Sequence, residues 1–108
     1  MTVKELSVKY SLEPASMPCP EREVAGGYVG DLLSWVMGRA EADNAWITIM
    51  TNVNIAAVGA LSDVSVVIVA EGAKPDESVI ATAKEKGVNI LLTEKTAYET
   101  AVMISKDI

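Results

Sequence analysis

The feature that most constrains the fold is the run Val-Ser-Val-Val-Ile-Val-Ala at positions 64–70. A strand with one wet face alternates apolar and polar residues, whereas this run is nearly continuously apolar. Such runs are typical of strands that are buried on both faces of a parallel sheet. The run therefore predicts an α/β fold, in which helices cover both faces of a mostly parallel sheet.

Strand-like and helix-like segments alternate along the rest of the chain. Apolar residues at helical spacing, capping residues before them and Gly87 after one of them mark the helices. Asp31 is expected to cap the second helix, Thr51-Asn52 or Asn54 the third, and Thr93 or Thr96 the last. The predicted helices are 3–10, 32–38, a segment ending at 61, 76–86 and a final segment; the predicted strands are 12–16, 24–29, 45–50, 64–70 and 88–92.

These segments predict a single compact domain over residues 1–108, with a sheet of four to five strands and helices on both faces. Right-handed crossovers should connect the parallel strands. The order of the strands does not follow from the sequence.

The composition excludes several classes of function. Lys plus Arg is 9 and Asp plus Glu is 15, so the net charge of −6 argues against nucleic acid and anionic membranes as partners. The absence of histidine excludes Ser-His-Asp and Cys-His catalysis and every His-ligated metal site. The single cysteine, Cys19, excludes an internal disulfide framework, and acids beside it disfavour its thiolate, so a structural role is expected. With no signal peptide visible at positions 1–6, a cytoplasmic location is expected.

Residues that could bind a ligand are expected beyond the carboxyl ends of the strands. Four loops should collect there, at residues 26–31, 51–54, 71–74 and 93–96, and helix N-termini behind them suit phosphate. Each polar residue in these loops is also a common cap or turn former, which is the competing interpretation. The residues predicted to bind a ligand are Gly26, Gly27, Asp31, Thr51, Asn52, Asn54 and Thr93.

Three features of this site carry specific expectations. The glycines either let a ligand approach the backbone or let the strand pack closely on its neighbour. Their G-G-x-x-G spacing is not a dinucleotide fingerprint, and the chain has no P-loop. Arg22 is a candidate for phosphate binding, with an ion pair to a carboxylate as the favoured interpretation. Asp31 would orient a hydroxyl or amine, because a carboxylate repels phosphate.

No metal, cofactor or catalytic residue is predicted, although Glu71 and Glu94 could pair for acid–base work.

The segment at positions 21–34, Glu-Arg-Glu-Val-Ala-Gly-Gly-Tyr-Val-Gly-Asp-Leu-Leu-Ser, resembles the signature of the DRTGG domain family. The segments Trp-Ile-Thr-Ile at 46–49, Asn-Ile-Ala-Ala-Val at 54–58 and Leu-Thr-Glu at 92–94 are similar to the family as well, so the resemblance covers about residues 3–105. Two positions depart from the family pattern. Glu21 replaces an Asp and keeps the charge, whereas Ala25 replaces a Thr and loses a hydroxyl.

The resemblance implies a fold similar to the N-terminal domain of HPr kinase/phosphorylase. It also implies a regulatory role, because such domains occur beside CBS domains in regulated pyrophosphatases and beside phosphotransacetylase-like enzymes. The expected function is a non-catalytic regulatory module that forms a homodimer and binds a small anionic or nucleotide-like ligand. The alternatives are a structural domain that binds a protein partner, through the Trp35 region and the small-residue helices, and an enzyme that uses carboxylates or an oxygen-ligated metal.

Overall fold

The computed structural model describes residues 1–108 and contains five strands and five helices. The strands are β1 (Glu13–Ser16), β2 (Gly27–Val29), β3 (Ala45–Thr48), β4 (Val66–Val69) and β5 (Ile90–Leu92). The helices are α1 (Val3–Tyr10), α2 (Leu33–Arg39), α3 (Asn54–Leu61), α4 (Glu77–Lys86) and α5 (Ala97–Ile104). None of these helices is long and apolar enough to span a membrane.

The strands form one sheet in the order β1-β5-β4-β3-β2. Strands β2 to β5 are parallel, and β1 pairs antiparallel with β5 at one edge. The α/β fold with a mostly parallel sheet is thus confirmed, and the structure supplies the strand order.

Both faces of the central strands are buried, as the apolar run at 64–70 predicted. Val67 and Val69 of β4 belong to one apolar cluster, while Val66 and Ile68 belong to a second cluster on the opposite face. Helices α2, α3 and α4 contribute to the first cluster, and α1 and α5 to the second. Helices therefore lie on both faces, three on one and two on the other.

This arrangement creates one change of direction in the connections. The chain moves steadily across the sheet from β2 to β5, and right-handed crossovers place the three connecting helices on the same face. After β5 the chain passes instead to the opposite face, where α5 packs against β2 and β3. The loops that leave β4 and β5 therefore diverge at the carboxyl edge of the sheet.

Side chains cap three of the five helices. Thr2 and Glu5 form a reciprocal capping box at α1, as do Thr96 and Glu99 at α5. Asp76 accepts hydrogen bonds from the backbone N–H groups of Ser78 and Val79 at the start of α4. Of the two candidates for the last helix, Thr96 is the cap.

Four local predictions are wrong. Neither Thr51-Asn52 nor Asn54 caps α3, because Val53 precedes this helix and no side-chain capping bond is formed. The strand predicted from residue 24 begins only at Gly27, because the N–H groups of residues 24 and 25 donate to Met1 and Asp43 instead. Leu32, with no capping side-chain bond, precedes α2, so Asp31 does not cap this helix, which continues past Gly38 to Arg39. The spacing also predicts that Leu32 shares the inner face of this helix with Val36, but Leu32 is 59% exposed.

The dependence of the second face on α5 can be measured with two variants of this helix. Ile104 is 1% exposed, and Ile104→Ala should lower the free energy of unfolding by about 3 kcal/mol through lost burial and the remaining cavity. Val102 on the same helix is 48% exposed, and Val102→Ala should cost less than about 1 kcal/mol. Equal losses of unfolding free energy in the two variants, measured by urea denaturation, would show that α5 does not cover this face as described.

Candidate functional site

A cleft of about 380 Å³ opens where the loops after β4 and β5 diverge. Its walls are residues 72–74 of the β4–α4 loop and residues 92–95, which form the end of β5 and the start of the β5–α5 loop, and Ser11 and Glu13 close one side. In open α/β sheets this is the place where ligands bind, because diverging loops leave a crevice beyond the strand ends. Of the four predicted loops, the structure thus brings two together around an open space.

Backbone hydrogen bonds tie the base of this cleft together. The N–H of Glu71 donates to the carbonyl of Lys95 over 2.8 Å, and the N–H of Gly72 donates to the carbonyl of Thr93 over 3.0 Å. The Glu71 carboxylate also accepts from the N–H of Ala97, over 3.0 Å, at the first residue of α5. Glu71 is therefore engaged in holding the two loops together, which accounts for it without the acid–base role.

Charged side chains on the cleft walls are unpaired. Lys74 and Lys95 bring two ammonium groups, and Glu13 and Glu94 bring two carboxylates. None of the four takes part in an ion pair within the protein. The cleft therefore offers hydrogen-bond donors and acceptors that the fold itself leaves free.

The helix N-termini near this edge are satisfied by the protein's own side chains. Asp76 caps α4, and hydrogen bonding from the Ser78 hydroxyl and the backbone there lowers the pKa of its carboxyl group. Glu99 and Thr96 cap α5, and the hydrogen bond from the Thr96 backbone N–H lowers the pKa of Glu99. The capping interpretation is confirmed for Thr96, and the carboxylates of Asp76 and Glu99 accept from backbone N–H groups that a phosphate at these helix N-termini would use.

The predicted residues after β2 and β3 make local contacts. Asp31 accepts hydrogen bonds from the Thr48 hydroxyl, over 2.6 Å, and from the Ile49 N–H, over 2.9 Å. Asn52 accepts from the N–H of Asn54 over 2.9 Å, so it shapes the turn before α3. Thr51 lies beside them and is half-buried. These four residues share the carboxyl edge with Thr93 but are separated from it by β4.

Three predicted residues lie at the opposite, amino edge of the sheet: Gly26, Gly27 and Arg22. Gly26 and Gly27 come immediately before and at the start of β2, because that strand begins later than predicted. Gly26 has a positive φ of 71°, and a Cβ atom on Gly27 would stand 3.2 Å from the carbonyl oxygen of Ala45. The expectation that all the predicted residues share one edge is therefore wrong, and the close backbone packing agrees with the structural interpretation of these glycines.

Arg22 at the amino edge forms the ion pair that was favoured for it. Its guanidinium lies 3.0 Å from the Asp43 carboxylate and 2.8 Å from that of Asp63. Burial opposes the charge of Arg22, but hydrogen bonds to these two carboxylates outweigh it and raise the pKa of the guanidinium. Arg22 thus joins the loops that precede β3 and β4.

A second groove, of about 280 Å³, lies between β2 and α5. Gly26 and Gly27 form part of its wall, and most of the rest is apolar, including Val29 and Ile104. It contains no charged side chain. The glycines thus line a different, less polar space from the cleft that Thr93 lines.

Lys74 and Lys95 are absent from the predicted ligand-binding set, although both stand in loops that the sequence placed at the site. Lysines in loops are usually solvated, so only the strand order shows that these two share a cleft. It also missed Trp46, which is buried in β3 and donates its indole N–H to the carbonyl of Gly30 over 2.9 Å. A tryptophan in a buried strand needs such a partner, which was the available signal.

Trp35 and Cys19 are both exposed. Trp35 on α2 is 51% exposed, with the Arg39 guanidinium 3.8 Å from its ring. The backbone of Cys19 is held by the side-chain amide of Asn89, in agreement with a structural position for this segment. The small residues of α3 are divided between the core and the surface: Ala56 is fully buried and Gly59 faces Val67, whereas Ala57 and Ala60 are exposed.

Comparison with known proteins gave one family and one informative structure. The sequence profile of the DRTGG domain matches residues 36–106, which is most of the chain. The match begins after the glycine-containing segment at 21–34, so it depends on the later strands and helices. No curated protein sequence matches the chain.

The similar structure is that of the CBS and DRTGG domains of the regulatory region of Clostridium perfringens pyrophosphatase, in complex with the activator diadenosine tetraphosphate. The TM-score is 0.73 at 17% sequence identity, which shows a shared fold. The match covers 95% of this chain and 45% of that chain, so this chain corresponds to less than half of the regulatory region.

Proposed function

Because this chain belongs to the DRTGG domain family, we propose that it is a non-catalytic regulatory module that forms a homodimer and responds to a small anionic or nucleotide-like ligand. The regulatory part is supported by the similar fold in a pyrophosphatase regulatory region that carries diadenosine tetraphosphate. Absence of catalysis is part of the proposal. It is supported by the engagement of Asp31 and Glu71 in structural hydrogen bonds.

The observation that carries the dimer is an apolar surface at the free edge of the sheet. Strand β2 has a neighbour on one side only, and Val29 at its end is 51% exposed. Leu32 and Trp35 follow along the chain, three residues apart at the start of α2, and are 59% and 51% exposed. Large exposed apolar side chains are typical of protein interfaces, and a two-fold pairing of identical chains is the commonest way to cover them.

We also propose a cytoplasmic location. Cys19 is an exposed free thiol, and such thiols persist in reducing compartments. The acidic net charge of −6 supports the absence of nucleic-acid and membrane partners in the same proposal.

The dimer can be tested by sedimentation equilibrium at micromolar concentration. The chain of 11.4 kDa should sediment with twice its monomer mass. Trp35→Gln should raise the dissociation constant at least about tenfold, since buried tryptophans are frequent anchors of interfaces. Tyr98→Gln is the matched control, because Tyr98 is an aromatic residue of α5 that is 78% exposed. A monomer mass for the wild-type chain at these concentrations would refute the dimer.

Ligand binding can be tested by thermal unfolding in the presence of diadenosine tetraphosphate, ATP, ADP and AMP. A ligand at ~100 times its dissociation constant adds about 2.7 kcal/mol to the free energy of unfolding. The melting temperature should then rise by several degrees for at least one nucleotide. Unchanged melting with all four would favour the alternative of a structural domain for a protein partner.

A further inference from the structure

We infer that the cleft between the β4–α4 and β5–α5 loops binds the sugar-phosphate part of a small ligand. This inference rests on the proposed ligand response and assigns it to a place and a chemistry. Lys74 and Lys95 would bind the phosphate, and Glu13 and Glu94 would accept hydrogen bonds from sugar hydroxyl groups. None of these four residues belongs to the set that the sequence predicted.

The phosphate half of the inference rests on free donors. Lys74 and Lys95 stand on opposite walls of the cleft and have no carboxylate partner. In addition, the backbone N–H groups of Lys74 and Glu94 donate to no acceptor in the protein. Ammonium and backbone N–H groups are the donors that phosphate oxygens use in proteins. Lys74 supplies an ammonium and a backbone N–H group on the β4–α4 loop. Lys95 and Glu94 supply an ammonium and a backbone N–H group on the β5–α5 loop.

The sugar half rests on the two carboxylates. Glu13 and Glu94 balance the charge of the lysines, so the cleft as a whole is not a simple anion site. A carboxylate repels a phosphate at close range but accepts hydrogen bonds from hydroxyl groups. A ligand with a phosphate at one end and hydroxyl groups at the other satisfies both sets of side chains.

The cleft also limits what else such a ligand carries. Its volume of about 380 Å³ lies within the range of small-molecule sites. No aromatic side chain lines it, so the cleft does not provide a stacking surface for a base. Leu92 and Ala73 are its only apolar side chains. A free sugar phosphate and the ribose-phosphate part of a nucleotide share the chemistry that fits.

The site is held in shape before any ligand arrives. The bonds from Glu71 and Gly72 to the carbonyls of Lys95 and Thr93 fix the distance between the two walls at their base. The Glu71 carboxylate, bonded to the N–H of Ala97, adds a third tie. A pre-formed site avoids the free-energy cost of ordering loops on binding.

The test is calorimetric titration with ribose 5-phosphate, AMP and inorganic phosphate. Ribose 5-phosphate and AMP should bind, and inorganic phosphate should bind at least about tenfold more weakly. AMP binding more tightly than ribose 5-phosphate would identify a nucleotide as the source of the shared chemistry, and the reverse would identify a sugar phosphate. Inorganic phosphate binding as tightly as ribose 5-phosphate would overturn the sugar half.

Variants separate the cleft from the rest of the surface. Lys74→Gln and Lys95→Gln should each weaken ribose 5-phosphate about tenfold, whereas Lys106→Gln should leave it unchanged. Lys106 is an exposed lysine just beyond α5, at the amino edge of the sheet. Glu94→Gln should weaken ribose 5-phosphate but not inorganic phosphate. All four side chains are exposed, so the variants should fold, which circular dichroism can check.

The possible failures are distinguishable. Unchanged binding in both lysine variants of the cleft would place the ligand elsewhere and overturn this inference, while the proposed regulatory function would stand. Binding of none of the three probes, alongside stabilisation by a larger nucleotide, would do the same. If no nucleotide stabilises the chain and no probe binds, both proposals fail.

Discussion

The fold depends on the burial of β4 on both faces. Val67 and Val69 need cover from one side and Val66 and Ile68 from the other. Right-handed crossovers from β2 to β5 can supply helices to one face only. The second face is covered by α1 and by α5, and α5 reaches it because the chain changes direction after β5. The cleft between the loops after β4 and β5 is a direct consequence of that change.

The two edges of the sheet differ in how their polar groups are used. At the amino edge, Arg22 links Asp43 and Asp63, while the amides of Asn44 and Asn89 hold loop backbone. This network fixes residues 17–26 against the sheet. At the carboxyl edge, the charged groups of the β4/β5 cleft have no partner in the protein. The charged groups of the amino edge are thus used for structure, whereas those that line the proposed ligand site are free of ion pairs.

Much of the fold could be predicted, because it depends on local patterns. Burial of residues 64–70, the capping box of Thr2 and Glu5 and the stop at Gly87 are all visible in the sequence. The strand order was not, since it depends on contacts between distant segments. The same limit explains the site: the loops at 71–74 and 93–96 were recognised, but only the strand order shows that they adjoin each other.

The errors concern residues that fit two different local structures. Asp31 precedes a helix, which predicts a cap, yet it instead bonds to Thr48 and Ile49 on the neighbouring strand. The sequence predicted Gly26 and Gly27 at the carboxyl end of β2. They lie at its amino end, because the strand begins at Gly27 and contains only three residues. In both cases tertiary contacts decided between local conformations that the sequence allows equally.

The central claim is that the change of direction after β5 creates the ligand site. Backbone amide shifts of the ¹⁵N-labelled chain, recorded by NMR during a titration with ribose 5-phosphate, test it most directly. The account predicts that the largest saturating shifts occur at Gly72, Lys74 and Glu94, on both walls of the cleft. Largest shifts at Gly26 and Gly27, or at Thr51 and Asn52, would contradict it.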